Sequence, residues 1–179
     1  MQENKLKIDS LIPGFSLMGV DDKNYSLNDF SDKKILIVIF SCNHCPYVQA
    51  YEDRIIALQN EFGKVGVKIV AINPNDDVKY PDDSFDEMKK RAAAKSFNFP
   101  YLRDESQDIA KAFGATHTPQ IFLFDADRKL KYEGKIDDNW QEPYKVKSAY
   151  LRDTIMEVLN GKEVSVPETF SIGCTIKWK

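Results

Sequence analysis

Hydrophobic residues along the chain form short continuous runs, separated by stretches with helical spacing. Residues 35–40 are entirely apolar and residues 67–72 nearly so, which is typical of central strands covered on both faces. Between these runs, apolar residues recur at helical spacing from Val48 to Phe62, and Gly63 marks the end of that helix. This order of strand, helix and strand predicts a parallel pair joined by a right-handed crossover.

Further elements are expected on either side of this unit. Ser84 and Glu87 form a capping box that predicts the start of another helix. The remaining elements predicted are a hairpin near 15–25, a short strand at 99–102, a helix within 104–113, strands at 121–124 and 130–132, and a helix at 150–159. The fold class predicted is therefore α/β, with a central mixed sheet flanked by helices and an N-terminal hairpin.

The length and charge of the chain indicate a globular protein and exclude several classes of partner. Its 179 residues, 42% hydrophobic and 30% charged, predict one globular domain with a core at about 13–161 and a tail, 162–179, that has no periodicity. A net charge of −3 argues against non-specific nucleic-acid binding. There is no apolar run of the roughly 20 residues that span a bilayer, and no apolar core follows residues 1–5 as in a signal peptide. We therefore expect a cytoplasmic protein without nucleic-acid or membrane partners.

Two of the three cysteines form a C-x-x-C motif directly after the first predicted strand. Cys42 is expected at the mouth of the following helix, where unpaired N–H groups and the helix dipole stabilise a thiolate. Its pKa should then lie below the free value of about 8.5. Cys45 follows one helical turn later, within reach of a disulfide. We expect Cys42 to be the nucleophile and Cys45 to be its redox partner.

Other interpretations of the cysteines remain open. A structural zinc site usually needs a second ligand pair, and only Cys174, His44 and His117 could complete one. The sequence favours redox chemistry, with no metal and no cofactor. Cys174 in the tail could act as an alternative resolving thiol, but an inert buried cysteine is favoured. On that basis, replacing Cys174 with serine should leave turnover within about threefold.

The strand, the C-x-x-C motif and the later Thr118-Pro119 dipeptide together resemble thioredoxin-fold proteins of the redoxin class. This class includes the alkyl hydroperoxide reductase and thiol-specific antioxidant branch and the cytochrome-maturation thioredoxins. Residues 42–48 and 172–178 also resemble a group of uncharacterised bacterial thioredoxin-family proteins. The resemblance implies an extra strand and helix before the proline loop. It also implies a cis Pro119, although proline statistics alone favour trans, and a Thr118 backbone that pairs with a substrate strand.

The chain departs from the patterns that it resembles in three ways. Ser41 replaces the tryptophan that precedes the first cysteine of thioredoxin, and residues 35–40 contain no acid. Ile39 stands where peroxiredoxins have Thr or Ser three residues before the peroxidatic cysteine. Asn43 and His44, between the cysteines, are candidates for tuning the site. His44 is expected to stabilise a thiolate, so that proline in its place lowers the potential by several tens of millivolts, about 30 mV being 1.4 kcal/mol.

The function expected is thiol–disulfide oxidoreduction by Cys42 and Cys45, with Thr118 and Pro119 beside them. The partners expected are a protein or small-molecule disulfide or thiol and an unidentified electron donor. One alternative is a thiol peroxidase, in which Cys42 becomes a sulfenic acid. A less favoured alternative is a metal-binding or redox-sensing module. Trp140 is equally compatible with a substrate groove and with simple packing.

Overall fold

The computed structural model describes residues 5–179. Its strands are β1 (Ser16–Gly19), β2 (Asn24–Ser26), β3 (Ile35–Phe40), β4 (Val67–Asn73), β5 (Tyr101–Arg103), β6 (His117–Thr118), β7 (Gln120–Phe124), β8 (Leu130–Gly134) and β9 (Cys174–Thr175). Its α-helices are α1 (Pro46–Phe62), α2 (Phe85–Lys95), α3 (Asp108–Phe113) and α4 (Tyr150–Leu159). Four 3-10 turns lie at Leu27–Phe30, Gly63–Val65, Pro81–Asp83 and Pro143–Lys145.

Seven strands form one mixed sheet in the order β2-β1-β5-β4-β3-β7-β8. The pairs β3–β4 and β4–β5 are parallel, and the remaining pairs are antiparallel. The prediction of a mixed α/β sheet with an N-terminal hairpin is confirmed. The strand and helix expected before the proline loop are β5 and α3, and β5 joins the sheet between β1 and β4.

Alternate residues of β3 face two separate hydrophobic clusters. Ile35, Ile37 and Ile39 pack in a cluster with apolar residues of α1, α2 and α4. Leu36, Val38 and Phe40 pack in the other with residues of α3, the N-terminal segment and the tail. All six side chains are fully buried, as expected for a strand covered on both faces. The loop that follows β3 is therefore held on a rigid strand.

Three predicted elements differ from those in the structure. The helix after the C-x-x-C motif begins at Pro46, so that Cys45 is its N-cap and Cys42 lies outside it. The helix expected within 104–113 is shorter and begins at Asp108. Asp104 lies before it, and its carboxylate accepts hydrogen bonds from the backbone N–H groups of Ile109 and Ala110 in the first turn. The tail, expected to contain no strand, forms β9, which pairs antiparallel with β6.

No α-helix within residues 5–179 has the length and apolar character needed to cross a membrane.

Candidate active site

Three cysteine side chains meet just beyond the end of β3. Cys42 and Cys45 are 3% and 1% exposed and pack together, whereas Cys174, the first residue of β9, is partly exposed. The Sγ atoms of Cys45 and Cys174 lie 2.7 Å apart. All three are free thiols in this structure. The fold thus adds a third thiol to the pair predicted from the C-x-x-C motif.

Thr118 contacts both cysteines of the motif. Its hydroxyl oxygen lies 3.3 Å from Cys42 Sγ, and its carbonyl oxygen accepts a hydrogen bond from the Cys45 thiol at 3.3 Å. The Thr118–Pro119 peptide bond is cis, as the resemblance implies. The structure therefore brings Cys42, Cys45, Thr118 and Pro119 together, although the chain separates the two pairs by more than seventy residues.

The backbone edge of Thr118 is occupied by the chain's own tail. In the β6–β9 pair, Thr118 lies opposite Cys174 and His117 opposite Thr175. In this structure β9 therefore fills the position beside Thr118 that the resemblance gives to a substrate strand, and pairing with a substrate stays a prediction. Gly173 permits the approach, since a Cβ atom added there would lie 2.2 Å from the Thr118 carbonyl oxygen.

A buried carboxylate, Asp83, holds the loop between the cysteines from the other side. Asp83 is fully buried and accepts hydrogen bonds from the Asn43 backbone N–H at 2.7 Å and the Asn75 side chain at 2.8 Å. The Asn43 side chain in turn accepts a hydrogen bond from the hydroxyl of the buried Tyr101 at 2.8 Å. Asn43 is therefore a residue that positions the loop.

His44 faces this carboxylate and not the sulfur atoms. Its Nδ1 lies 3.0 Å from Asp83 Oδ2, forming an ion pair when the imidazole is protonated. The ring stacks on Tyr80, whose own ring faces the Lys177 ammonium of the tail. Among residues 5–179, His44 makes no hydrogen bond to Cys42 or Cys45. Direct stabilisation of the Cys42 thiolate, expected from the sequence, is thus not seen in this geometry.

The thiol with the lowered pKa is Cys45. Hydrogen bonding from Cys42 lowers the pKa of Cys45 to about 5, against an opposing effect of burial and with further help from the thiol of Cys174 and from the backbone N–H groups of Val48 and Cys174. The Thr118 carbonyl favours the protonated form, because it accepts a bond only from the neutral thiol. The donors named above have the larger effect on this pKa. Cys45 also holds the N-cap position, beside the positive end of the helix dipole, which stabilises a thiolate.

The other two thiols shift in the opposite direction. Donation to Cys45, followed by burial and the negative charge of Asp83, raises the pKa of Cys42. Burial and hydrogen bonding to Cys45 raise the pKa of Cys174 to about 11. The prediction of a low pKa at Cys42 is therefore wrong in this structure. The physical reason is that the helix begins after Cys45, so its unpaired N–H groups lie nearer to Cys45.

An aromatic pair borders the thiols. The rings of Tyr47 and Trp140 lie 4.4 Å apart, and Tyr47 packs against the cluster that contains Cys42, Cys45 and Val48. The loop that carries Trp140 is fixed to α1 by Arg54, which donates hydrogen bonds to the Trp140 carbonyl and to Asp137. Trp140 therefore lies near the site, held by packing against Tyr47.

Asp83 and Tyr101 are not among the residues that the sequence predicts at the site, and Cys174 is favoured there as an inert cysteine. Asp83 lies directly before the N-cap of α2, and Tyr101 lies within the short strand predicted at 99–102. Both residues belong to the site through hydrogen bonds to Asn43, which is distant in sequence, so no local pattern indicates their role. For Cys174, the signal available was the Gly173-Cys174 pair in a tail containing apolar residues. Within residues 5–179, no three His, Cys, Asp or Glu side chains are arranged to hold a metal ion.

The chain is similar to several known proteins in structure and in sequence. The structure is similar to that of an uncharacterized conserved protein from Geobacillus kaustophilus, with 38% identity, a TM-score of 0.92 and coverage of 98% of this chain and 94% of that chain. Thiol-disulfide oxidoreductase ResA from Bacillus thuringiensis is 25% identical over 136 residues, 75% of this chain and 73% of ResA. Peroxiredoxin Bcp from Escherichia coli K12 is 23% identical over 141 residues, 72% of this chain and 85% of Bcp.

The fold and these relatives define a thioredoxin-like oxidoreductase with a thiol redox function. The Redoxin family model matches residues 7–150, most of the chain. The protein therefore belongs to the Redoxin family. The matched region contains Cys42, Cys45 and the proline loop, whereas Cys174 lies outside it.

Proposed function

We propose that the protein is a thiol–disulfide oxidoreductase that cycles Cys42 and Cys45 between a dithiol and a disulfide. The observation that carries this proposal is the contact between the two buried thiols, one of which has a pKa lowered to about 5. A thiolate is the reactive form in thiol–disulfide exchange. The relative named thiol-disulfide oxidoreductase ResA supports the same chemistry.

The reaction runs in two exchange steps. Cys42 attacks a substrate disulfide, forming a mixed disulfide, and the proton of its thiol passes to the substrate thiolate that leaves. Cys45, already a thiolate, then attacks Cys42 Sγ, forms the Cys42–Cys45 disulfide and releases the second substrate thiolate, which takes up a proton from solvent. The same steps in reverse donate a disulfide. Neither step requires a cofactor. The substrate proposed is a protein or small-molecule disulfide, and an external dithiol returns the pair to the reduced form.

The test is reduction of insulin disulfides by the full-length protein with dithiothreitol as donor. We expect Cys42→Ser and Cys45→Ser each to lower turnover at least about 100-fold, or roughly 2.7 kcal/mol in the barrier. The exposed Ser165→Ala is the matched control and should leave turnover unchanged. Turnover retained in both cysteine variants would contradict the proposal.

A second candidate, a thiol peroxidase, is favoured by the relative named peroxiredoxin Bcp and by the Thr118 hydroxyl 3.3 Å from Cys42 Sγ. That hydroxyl comes from the proline loop, because Ile39 supplies none from β3 and is fully buried. Peroxide consumption with a dithiol donor distinguishes the two. Peroxide turnover that exceeds insulin reduction, with a sulfenic acid trapped at Cys42, would favour the peroxidase. A cytoplasmic location remains a prediction.

A further inference from the structure

The tail presents a third sulfur to the buried pair at a fixed place. Cys45 lies between the other two cysteines, packing against Cys42 and contacting Cys174 Sγ at 2.7 Å. Within residues 5–179, Cys174 makes no sulfur hydrogen bond to Cys42. Cys45 is therefore the one thiol of the three that contacts both others and could form a disulfide with either of them without a rearrangement of the backbone.

The position of Cys174 is determined by anchors on both sides of it. Before it, the Thr169 hydroxyl lies 2.8 Å from the Tyr132 hydroxyl. After it, the Ile176 N–H donates to the Thr116 carbonyl at 2.9 Å, and the Ile176 side chain is buried in the core. Gly173 lets the tail lie directly on the Thr118 carbonyl. Cys174 is therefore part of a docked segment and not of a loose terminus.

We propose that Cys174 is a third redox thiol, which exchanges with the Cys42–Cys45 disulfide at Cys45 Sγ. This inference rests on the proposed oxidoreductase function and extends it. The Cys174 thiolate attacks Cys45 Sγ, so that the Cys45–Cys174 bond forms and the Cys42–Cys45 bond breaks. Cys42 leaves with the electron pair of the broken bond and takes up the proton that Cys174 gave up. One disulfide replaces another, so the step needs no external oxidant or reductant.

The oxidised state favours this attack in one respect. In the reduced protein, hydrogen bonding to Cys45 helps to raise the pKa of Cys174. When Cys45 is part of a disulfide, its sulfur carries no negative charge. The repulsion by which the Cys45 thiolate raises the pKa of Cys174 is then absent. The Cys174 thiol is then easier to ionise at the moment when its target is oxidised.

The exchange changes which sulfur a donor can reach. In this structure, in which the thiols are free, Cys42 and Cys45 are almost completely buried, at 3% and 1% exposed. Cys174 is partly exposed, so a Cys45–Cys174 disulfide would contain one sulfur that is easier to reach. A dithiol donor that attacks Cys174 Sγ would displace Cys45, whose thiolate is stabilised by its surroundings. Cys174 therefore gives electrons a route to a buried pair.

The test begins with the full-length protein, oxidised with glutathione disulfide, quenched in acid and alkylated before peptide mapping. We expect both Cys42–Cys45 and Cys45–Cys174 linkages, with populations within about tenfold of each other, equivalent to 1.4 kcal/mol. The matched pair of variants removes one motif cysteine each. Cys42→Ser should form an intramolecular Cys45–Cys174 disulfide, whereas Cys45→Ser should form no Cys42–Cys174 disulfide.

The outcomes separate this proposal from the function on which it rests. A wild-type protein that forms only Cys42–Cys45, together with a Cys42→Ser variant that stays reduced, would overturn the relay and leave the oxidoreductase intact. A wild-type protein that forms no Cys42–Cys45 disulfide and does not reduce insulin would overturn the oxidoreductase itself. Equal disulfide formation in both variants would also contradict the relay, because it would show a mobile Cys174 in place of a docked one.

Discussion

The thiol cluster lies between two dissimilar regions. On one side, the buried carboxylate of Asp83 accepts hydrogen bonds from the loop after β3 and from Asn75. On the other, the docked tail brings Cys174 against Cys45. The negative charge on the first side helps to raise the pKa of Cys42, and thiol and backbone donors, including those of the tail, lower that of Cys45. The two cysteines of one motif thus acquire opposite pKa shifts from neighbours that are distant in sequence.

Removing the charge on the first side should have the largest effect on stability. In Asp83→Asn, an amide group replaces an oxygen that faces only donors, so at least one buried donor loses its partner. We expect the free energy of unfolding to fall by about 2–4 kcal/mol and the pKa of Cys42 to fall as well. Urea denaturation measures the first effect, and Asp82→Asn in the same 3-10 turn is the exposed control. An unchanged stability would show that Asp83 does not hold the loop.

Displacing the tail tests the second side. In Gly173→Ala the new Cβ would lie 2.2 Å from a backbone oxygen, so β9 must shift, at a cost of about 1–3 kcal/mol. Cys174 should then be alkylated faster and the pKa of Cys45 should rise. The control is Gly14→Ala, where an added Cβ meets nothing within 4 Å. Equal alkylation rates in the two variants would mean that the tail is not docked on Thr118.

The low pKa of Cys45 also predicts how stability depends on pH. Because this pKa is about 5 in the folded protein and about 8.5 in a free thiol, unfolding takes up protons between these values. The stabilisation is therefore present at high pH and is lost as the pH falls to about 5. Relative to the oxidised protein, the reduced protein should gain at least about 1.4 kcal/mol from pH 5 to pH 8, the equivalent of one pKa unit. A parallel pH profile for the two forms would contradict the assignment.

The smallest effect is expected at His44. Its side chain is 37% exposed and pairs with Asp83 and not with a sulfur, so solvent screening limits its influence. His44→Gln should change the Cys42–Cys45 potential by less than about 30 mV, or 1.4 kcal/mol for this couple. Equilibration with glutathione buffers measures the shift. A larger change would restore the direct tuning role that the sequence suggested.

The regular elements of the sheet could be predicted because their signals are local. The run 35–40 is β3 and the helix at 150–159 is α4, residue for residue. The C-x-x-C motif and the Thr118-Pro119 dipeptide also carry local signals, and the resemblance added the cis bond. The contribution of Asp83, the start of α1 after Cys45, and the docking of Cys174 depend on contacts between distant segments. Periodicity and spacing contain no information about such contacts.

The most direct test of this asymmetry is a pH titration of the reduced protein that follows the Cβ resonances of all three labelled cysteines by NMR. This measurement reports ionisation without requiring a reagent to reach buried sulfurs. The resonance of Cys45 should move with a midpoint near pH 5, while those of Cys42 and Cys174 stay in place until the pH passes the ordinary thiol pKa of about 8.5. A Cys42 resonance that moves in the acid range while that of Cys45 stays in place would contradict the account.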